Sequence, residues 1–557
     1  MKKVLFVIVG IIMISSMVFA GGNTNQSRAT PQQISDPRSP INISVFHETA
    51  GHPRPGPNNP IVLYLQQRLN VTFTWDLLVG DIAQRRGTMI AANQYPDILE
   101  LRGNHYIEAG ALIDLEPLIN QYGPNIRKHY DSVWDMIRYP GDGKIYYLPN
   151  YHVYQGVDHN PNYDGPAFWI QMEVLKWGGY PTIRTVDEYF DLIERYYAAN
   201  PTINGAPTIP FLFCIDDWRG FELWNPPNFL FGNPNEGNGV VNPVTYEYKT
   251  FFTNDWSRQW FQYLNQIDKR GLLDRGSFTD NKDQYDAKIS SGRVLGQTMQ
   301  GWQFMYTPDM VNRDRGQNNR TQVPLPVVFN NSITPRYRSF PTVNLLHGVG
   351  ISTSARDPVR IIQFLNEYLE EDVQRTINWG IEGLHWQWAA DGTPYRTQDQ
   401  RDMWNNVTWQ QQNRLMLLGD VTPKVQGSFS DGFPSDLGQY FPEREASLRI
   451  ENRELFAAYG VSSTNELMDK NPPPNAPWFP TWGMPPPPDG SPAQIALTRL
   501  EQIMKQRLPQ MVLAPAADYT RLWNEYVAEM NAAGLATYEA YMQDQLNIRL
   551  RDWGIRR

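Results

Sequence analysis

The chain has 557 residues, of which 41% are hydrophobic and 19% are charged, so it can bury a large core and is not mainly disordered. This length predicts at least two lobes rather than one compact unit. The formal net charge of −9 excludes the basic surface that non-specific nucleic-acid binding needs.

The first 20 residues have the pattern of an export signal. Two lysines precede an apolar run over 4–14, and small residues up to Ala20 form a cleavage site. The alternative is a retained anchor helix, but the apolar run is shorter than the roughly 20 residues that a membrane span needs. We therefore expect cleavage after Ala20. Residues 21–40 are rich in Asn, Gln, Ser, Thr and Pro, which predicts a flexible leader.

The first folded segment shows alternating strand and helix patterns. Apolar residues alternate from Ile41 to Val45 as in a strand, and a Pro/Gly/Asn loop follows. In chain order the pattern then predicts helix 61–69, strand 71–75, helix 82–93 and strand 97–101. Because a strand, loop, helix and strand in this order are typical of a parallel sheet, we predict a doubly wound α/β lobe.

Three later segments carry helix signals. Thr185 and Glu188 fit a capping box that opens a helix ending near residue 199. Apolar residues recur at helical spacing over 359–371, which predicts a second helix with a core-facing stripe. The segment 519–551 is predicted to be helical with one break at a glycine.

A proline-rich segment lies over 471–492. Its ten prolines exclude regular secondary structure, and Trp478, Phe479 and Trp482 lie among them. We expect an ordered loop packed by its own aromatic residues, with a linker or a proline-motif ligand as the alternatives.

The sequence contains none of the common nucleotide-binding, hydrolase-elbow or zinc-protease motifs. A glycoside hydrolase needs two carboxylates facing a sugar, and Glu48, Glu222, Glu382 and the pair Asp216-Asp217 are available. Among 58 acidic residues, however, such pairs can be found anywhere. A secreted glycoside hydrolase or other carbohydrate-active enzyme therefore stays the alternative function.

Two further features could indicate a reactive cysteine or a metal site. Cys214 is the single cysteine and lies in an apolar run, so we assign it to the core rather than to a nucleophile or a disulfide. The segment 160–165 (NPNYDG) alternates oxygen side chains before a glycine as a calcium loop does, but Gln171 replaces the Glu expected at position twelve. We predict a plain Asx-rich turn, and the sequence leaves calcium binding near Asn160 to Asp164 open.

Short segments in one order along the chain carry a family resemblance. They are Ala91–Ile98, Asp142–Pro149, Phe168–Ile170, Leu175–Thr182, Gly292–Gly296 with Gly301-Trp302, Asn378–Trp386 and Trp523–Val527. The segment NWGIEGLHW over 378–386 is the most specific, with Trp379 and Trp386 at positions where the family has tyrosine. Together these segments resemble the family 1 extracellular solute-binding proteins of bacterial ABC-type sugar importers, in the large oligosaccharide-binding branch.

The resemblance implies a type II periplasmic-binding-protein-like fold, with two doubly wound α/β lobes joined by a hinge that closes on ligand. We assign 41–150 plus 346–402 to lobe one and 151–345 plus 403–557 to lobe two. The candidate crossing segments are 147–153 and 347–352. Trp379 and Trp386 are expected to brace lobe one. No catalytic residue, metal or cofactor is implied.

Sugars present apolar C–H faces and a ring of hydroxyls, so their sites need flat aromatic rings together with polar side chains. Ligands of open α/β sheets bind outside the carboxyl ends of the strands. These rules select the loops after Val45, Leu101, Ile215 and Met299. The predicted ligand-binding residues are Trp302, Trp224, Trp218 and Asp217 in lobe two, and His47, Glu48, Arg102 and Asn104 in lobe one.

The implied function is a receptor that captures an oligosaccharide and delivers it to the permease of an ABC transporter, acting as a monomer without nucleic acid. Many relatives carry a lipid-anchored cysteine after the signal, where this chain has Gly21. We therefore expect an unanchored protein in a periplasm. A third interpretation is a surface adhesin or scaffold, but the sequence lacks repeats.

Overall fold

The computed structural model describes residues 39–48, 54–56 and 58–555. The predicted export signal, its cleavage site after Ala20 and the leader up to residue 38 lie outside the described residues. Within these ranges, no helix combines the length and the apolar character that crossing a membrane requires.

Strands of two larger sheets form the framework. They are β1 (Ile41–His47), β2 (Val71–Leu77), β3 (Ile98–Arg102), β4 (Tyr147–Pro149), β5 (Pro166–Gln171), β6 (Ile209–Leu212), β7 (Val294–Gln300), β8 (Gln322–Leu325) and β9 (His347–Ile351). Shorter strands pair as Tyr154–Gln155 with Gln426–Gly427, Thr202–Ile203 with Ala206–Pro207, Gly239–Val241 with Tyr248–Thr250, and Gln387–Trp388 with Pro394–Tyr395.

Helices cover both sheets. Those in the first part of the chain are Pro60–Leu69, Ile82–Ala92, His105–Glu108, Glu116–Tyr122, Pro124–His129, Met172–Trp177, Val186–Ala199, Phe221–Trp224, Pro226–Leu230, Asp255–Lys269 and Lys282–Ser290. Those that follow are Pro308–Asp314, Pro358–Tyr368, Glu371–Trp379, Gln398–Trp404, Val407–Asn413, Met416–Asp420, Phe441–Ser447, Ile450–Tyr459, Thr464–Met468, Pro492–Leu513, Tyr519–Ala532 and Leu535–Asp552.

The first sheet has the strand order β2-β1-β3-β9-β4. Strands β1, β2 and β3 are parallel, and β9 runs antiparallel to both of its neighbours. This register sets His347, the first residue of β9, opposite Arg102, the last residue of β3. The carboxyl ends of β1 and β3 and the start of β9 therefore meet at one edge.

The second sheet has the strand order β8-β5-β7-β6. Strand β7 is parallel to β6 and antiparallel to β5. The loops that leave β6 and β7 therefore emerge at one edge, beside the segment that enters β5. Trp302 lies on this edge, where its N–H donates to the carbonyl of Asp164 at 2.9 Å.

Each sheet has its own apolar core. Around the first sheet, Ile43 and Val45 pack with Leu65 and Phe364 of the covering helices. Residues of the segment 415–421 also pack in this core, although the sequence-based assignment placed 403–557 in lobe two. The division of the chain into lobes stays a prediction. The packing of 415–421 favours assigning that stretch to lobe one.

The core of the second sheet includes helix Val186–Ala199 and the C-terminal helices. The predicted capping box is confirmed, since the Thr185 hydroxyl accepts from the Glu188 N–H and the Glu188 carboxylate accepts from the Thr185 N–H. The break in the last helices is confirmed at Gly534, whose φ is 103°.

The helix predicted over 359–371 is confirmed only in its first part. It runs over Pro358–Tyr368, and a second helix begins at Glu371. Glu370 separates them because its backbone is extended, with ψ at 140°.

The proline-rich segment follows the surface of the second lobe without strands, with one short 3₁₀ turn at Thr481–Gly483. The buried guanidinium of Arg549, on the last helix, donates to the carbonyl oxygens of Trp478 and Pro480. These bonds satisfy carbonyls that a proline-rich chain cannot pair in a sheet. The predicted ordered loop is therefore confirmed, but Trp478 packs against Tyr246 outside the segment rather than against the loop's own aromatic residues.

The predicted core placement of Cys214 is confirmed, and Trp379 and Trp386 are buried as well, while their bracing of lobe one stays a prediction. Cys214 is buried among apolar neighbours, and burial raises the pKa of its thiol. The Trp379 and Trp386 rings are buried edge to face, 4.8 Å apart. Between them Gly380 has a φ of 92°, and a Cβ there would lie 2.5 Å from the His385 ring, so glycine is required.

Candidate functional site

Polar side chains form a connected cluster at the edge of the first sheet. His47, at the end of β1, is fully buried, and its two ring nitrogens lie 3.3 Å from carboxylate oxygens of Glu100 and Asp420. Glu100 also accepts from the Glu48 N–H at 2.7 Å and from the Arg102 guanidinium at 2.8 and 2.9 Å. The strand ends therefore carry a largely buried network of ionisable side chains.

Asp420 joins this cluster from a distant part of the sequence. Its carboxylate accepts from the Tyr151 hydroxyl at 2.6 Å and lies 3.3 Å from the Lys424 ammonium. Burial acts to raise the pKa of Asp420, but hydrogen bonds from His47 and Tyr151 and the charge of Lys424 hold it well below its usual range. Asp420 is therefore an anion at neutral pH.

The remaining predicted residues of lobe one differ in their accessibility. Glu48 is buried, and its carboxylate accepts from the Arg86 guanidinium. Arg102 and Asn104 are half-buried, and the Asn104 side chain makes no capping bond to the helix that it precedes. Arg102 and Asn104 are thus the predicted lobe-one residues with surface to offer a ligand, whereas His47 and Glu48 are buried and reach Arg102 through Glu100 and Arg86.

An exposed aromatic pair lies at the edge of the second sheet. Trp218 follows β6 and is 50% exposed, and Trp302 follows β7 and is 46% exposed. Their rings are parallel to within 5°, with centroids 5.8 Å apart. The guanidinium of Arg219 lies 4.4 Å from the Trp218 centroid. We call Trp218 and Trp302 the aromatic pair.

The other two predicted residues of lobe two lie differently. Trp224 is 3% exposed in the core of the second sheet, and its indole N–H donates to Asn238 at 3.3 Å. Its role in binding stays a prediction, but this placement is that of a core residue. Asp217 is exposed, has a φ of 55°, and its carbonyl accepts from Lys505.

The structure adds residues that sequence reasoning did not select. Tyr151, Lys424 and Asp420 enter the first cluster through contacts across about 270 to 370 positions, for which the sequence gives no signal. Tyr306 is 51% exposed after β7, four residues beyond Trp302. The run of aromatic residues that follows β7 was the signal that could have found it.

A side-chain contact between His105 and Asp489 connects the edges of the two lobes. The Nδ1 atom of His105, just after β3, lies 3.6 Å from a carboxylate oxygen of Asp489 in the proline-rich segment. Tyr154–Gln155, on the connection between β4 and β5, also pairs with Gln426–Gly427. The chain leaves the first sheet after β4 and returns to it just before β9. Most of the predicted crossing segments 147–153 and 347–352 therefore lies within the first sheet or next to it.

The segment proposed as a possible calcium loop forms Asx turns. The Asn160 amide oxygen accepts from the Asn162 N–H at 3.1 Å, and Asp158 accepts from the Asn160 N–H at 2.9 Å. Over the described ranges, no three His, Cys, Asp or Glu side chains are grouped to hold a metal ion. The turn interpretation accounts for these residues.

Comparison with known proteins gives relatives of one kind. The fructooligosaccharide ABC transporter substrate-binding protein FusA of Streptococcus pneumoniae is 26% identical over 244 residues, which cover 42% of this chain and 45% of that protein. The match thus spans less than half of that relative. No family model matches the chain.

Solved structures match over nearly the whole chain. An HMO binding ABC-transporter associated solute binding protein from Bifidobacterium longum infantis has a TM-score of 0.65 at 16% identity, covering 91% of this chain and 99% of that one. An extracellular solute-binding protein from Bifidobacterium longum subsp. infantis has a TM-score of 0.61 at 16% identity, covering 92% and 98%. The resemblance indicated by the sequence segments is therefore confirmed, and the chain has the two-lobed α/β fold of the extracellular solute-binding proteins of ABC transporters.

Proposed function

We propose that this protein is a substrate-binding receptor that captures an oligosaccharide between its two lobes and delivers it to the permease of an ABC transporter. The observation that carries the proposal is the aromatic pair, two parallel and half-exposed tryptophans at the edge where α/β sheets bind ligands. Flat exposed rings stack on the C–H faces of sugars. Relatives named for fructooligosaccharide and HMO binding support the ligand class.

In this proposal the two lobes supply different contacts. Trp302 and Trp218 stack on sugar rings, and Asp217 accepts hydrogen bonds from hydroxyls at their border. Arg102 and Asn104 bind the opposite face of the ligand, with Arg102 held by Glu100 of the buried network. Closure of the hinge excludes water, which strengthens these polar contacts.

The alternative hydrolase fits the structure less well. Glu48 is bonded to Arg86, and Asp216 accepts from the Lys282 N–H at 2.9 Å. Glu222 is buried beneath Gln300 and Gln303. These carboxylates are engaged by the protein rather than presented as a pair across a cleft, as hydrolysis needs.

A thermal-shift screen tests the function directly. We expect neutral oligosaccharides such as kestose, or acidic ones such as alginate fragments, to raise the melting temperature, because a ligand that binds only the native state stabilises it by mass action. The binding ligand is then incubated with the protein and analysed by mass spectrometry. Intact recovery supports the receptor, shortened products support the hydrolase, and no shift with any sugar contradicts the proposed ligand class.

The location follows from the same proposal. We infer an exported, unanchored monomer in the periplasm, cleaved after Ala20, because Gly21 offers no thiol for a lipid. The expected result is release by osmotic shock, a mature N-terminus at Gly21 and a monomer in light scattering. Labelling with radioactive palmitate, or retention in the membrane fraction, would contradict this inference.

A further inference from the structure

A buried carboxyl group lies directly behind the aromatic pair. Glu222 belongs to the short helix Phe221–Trp224 and is 4% exposed. Its Oε1 atom accepts from the Gln300 N–H at 3.1 Å and from the side-chain amide of Gln303. Gln300 ends β7 and Gln303 follows Trp302, so this one oxygen holds both sides of the turn that carries Trp302.

The contacts of Glu222 continue to both rings of the pair. On one side, the Trp302 indole N–H donates to the Gln300 side-chain oxygen at 3.2 Å. On the other side, the Gln303 oxygen accepts from the Arg219 Nε at 2.9 Å, and Arg219 covers the Trp218 ring. Since the two rings also contact each other, these interactions form a closed loop.

We propose that Glu222 is a positioning residue, which sets the mutual orientation of Trp218 and Trp302 without touching the ligand. This inference deepens the proposed function and rests on it. Glu222 has the lowest exposure of the three buried side chains in the loop, at 4% against 7% for Gln300 and 8% for Gln303, and it bonds the turn through both the backbone and a side chain. Without it, the Gln300 N–H and the Gln303 amide would remain buried without an acceptor.

The protonation of Glu222 gives the arrangement a pH dependence. Burial raises the pKa of Glu222 to about 8, against the hydrogen bonds of Gln300 and Gln303 and the charge of Arg219, which lower it. Tyr285, from helix Lys282–Ser290, also interacts electrostatically with this carboxyl group. Burial raises the pKa of Tyr285 well above its ordinary value, so its hydroxyl stays neutral around pH 8. The neutral acid is therefore the native form at pH 7, and ionisation above about pH 8 places a charge in the buried loop.

The direction of this pH dependence follows from the linkage between proton binding and folding. The pKa in the folded state lies above the ordinary value of 4.5, so the advantage of the neutral acid is complete below that value. It declines as the pH rises and is lost above about pH 8. The free energy of unfolding should therefore fall in alkali, and through the positioning role of Glu222 we expect binding by wild type to weaken as well.

Two variants of Glu222 test the positioning role. Glu222→Ala is expected to raise the Kd for the oligosaccharide found by thermal shift about tenfold or more at pH 7. Glu222→Gln keeps an acceptor oxygen and should stay within about threefold of wild type. Between pH 7 and 9 the Kd of wild type should rise while that of Glu222→Gln stays constant. Asp309→Asn is the matched control, because Asp309 is another buried acid of this lobe whose pKa is raised to about 8 but which bonds Gln322.

A measurement without ligand separates this inference from the proposed function. Hydrogen exchange at the Gln300 amide should accelerate in Glu222→Ala, remain slow in Glu222→Gln and be unchanged in Asp309→Asn. If no sugar binds wild type but this exchange pattern holds, the proposed function fails and the positioning role stands. If Glu222→Ala exchanges and binds like wild type, or if Glu222→Gln shows the same alkaline loss as wild type, the positioning role is wrong.

Discussion

Replacing Trp302 with alanine should raise the Kd for the bound oligosaccharide about 30- to 300-fold, which corresponds to about 2 to 3.4 kcal/mol. Half of the Trp302 side chain is exposed, and the aromatic pair presents it beside Trp218 at the ligand edge of the sheet. Its removal takes away a stacking surface together with the partner that holds Trp218 parallel. Isothermal titration calorimetry with the ligand from the thermal-shift screen measures the effect.

The chain offers a matched control for this variant. Trp177 is 45% exposed and belongs to the same lobe, but it ends helix Met172–Trp177, which follows β5 at the opposite edge of the sheet. Its ring packs edge to face against Tyr196 at 5.5 Å. Trp177→Ala should leave the Kd within about twofold. Equal losses in both variants would show that Trp302 acts through stability rather than through ligand contact.

The second large effect concerns stability. Asp97 is buried directly before β3 and joins three segments of the first lobe. Its carboxylate accepts from the Ser44 N–H at 2.8 Å, the Ser44 hydroxyl at 2.6 Å, the Arg356 N–H at 3.0 Å and the Arg356 guanidinium at 2.9 Å. Asp97→Ala removes the buried acceptor of these four partly buried bonds and should cost about 3 kcal/mol of unfolding free energy.

Urea unfolding followed by circular dichroism measures this loss. Asp135→Ala is the control in the same lobe, because the Asp135 side chain is 83% exposed and its ion pair with Arg138 should contribute less than about 0.5 kcal/mol. A variant of Asp97 that unfolds at the same urea concentration as Asp135→Ala would contradict the assigned role.

Asp97 also makes a specific contribution to acid sensitivity. Burial acts to raise its pKa, but the bonds from Arg356 and Ser44 outweigh it and lower the pKa to about 2. The contribution, about 2 kcal/mol, is present above the ordinary value of 3.8 and is lost as the pH falls toward 2. Asp97→Asn should therefore lack this part of the acid transition, which a pH series of urea midpoints would show.

Local sequence signals were sufficient for much of the fold. The capping pair at Thr185 and Glu188, the alternation in β1 and the proline density over 471–492 each depend on neighbours in sequence, and each prediction is confirmed. The break at Glu370 was missed because the apolar stripe continues past it while the backbone turns. Hydrophobic periodicity indicates which face of a helix is buried, but it gives no information about a single residue with an extended backbone.

The candidate site was predictable only in part. Strand ends selected the loops of Trp302 and Arg102, and the structure places both at sheet edges, because the edge of an α/β sheet is set by topology. Exposure could not be inferred: Trp218 and Trp224 lie six residues apart, yet one ring is half-exposed and the other is in the core. Asp420 reaches His47 across 373 positions, a contact that only the folded chain creates.

The burial of Cys214 makes the molecule well suited to distance measurements. Its thiol is enclosed in the second lobe and its pKa is raised, so maleimide dyes should react with it slowly in the folded protein. Cysteines introduced at exposed positions, one in each lobe, can then carry a donor and an acceptor dye against a nearly silent background. Val79 and Val244 are 89% and 83% exposed and lie in different lobes, so a pair at these positions would report on opening and closing of single molecules by energy transfer.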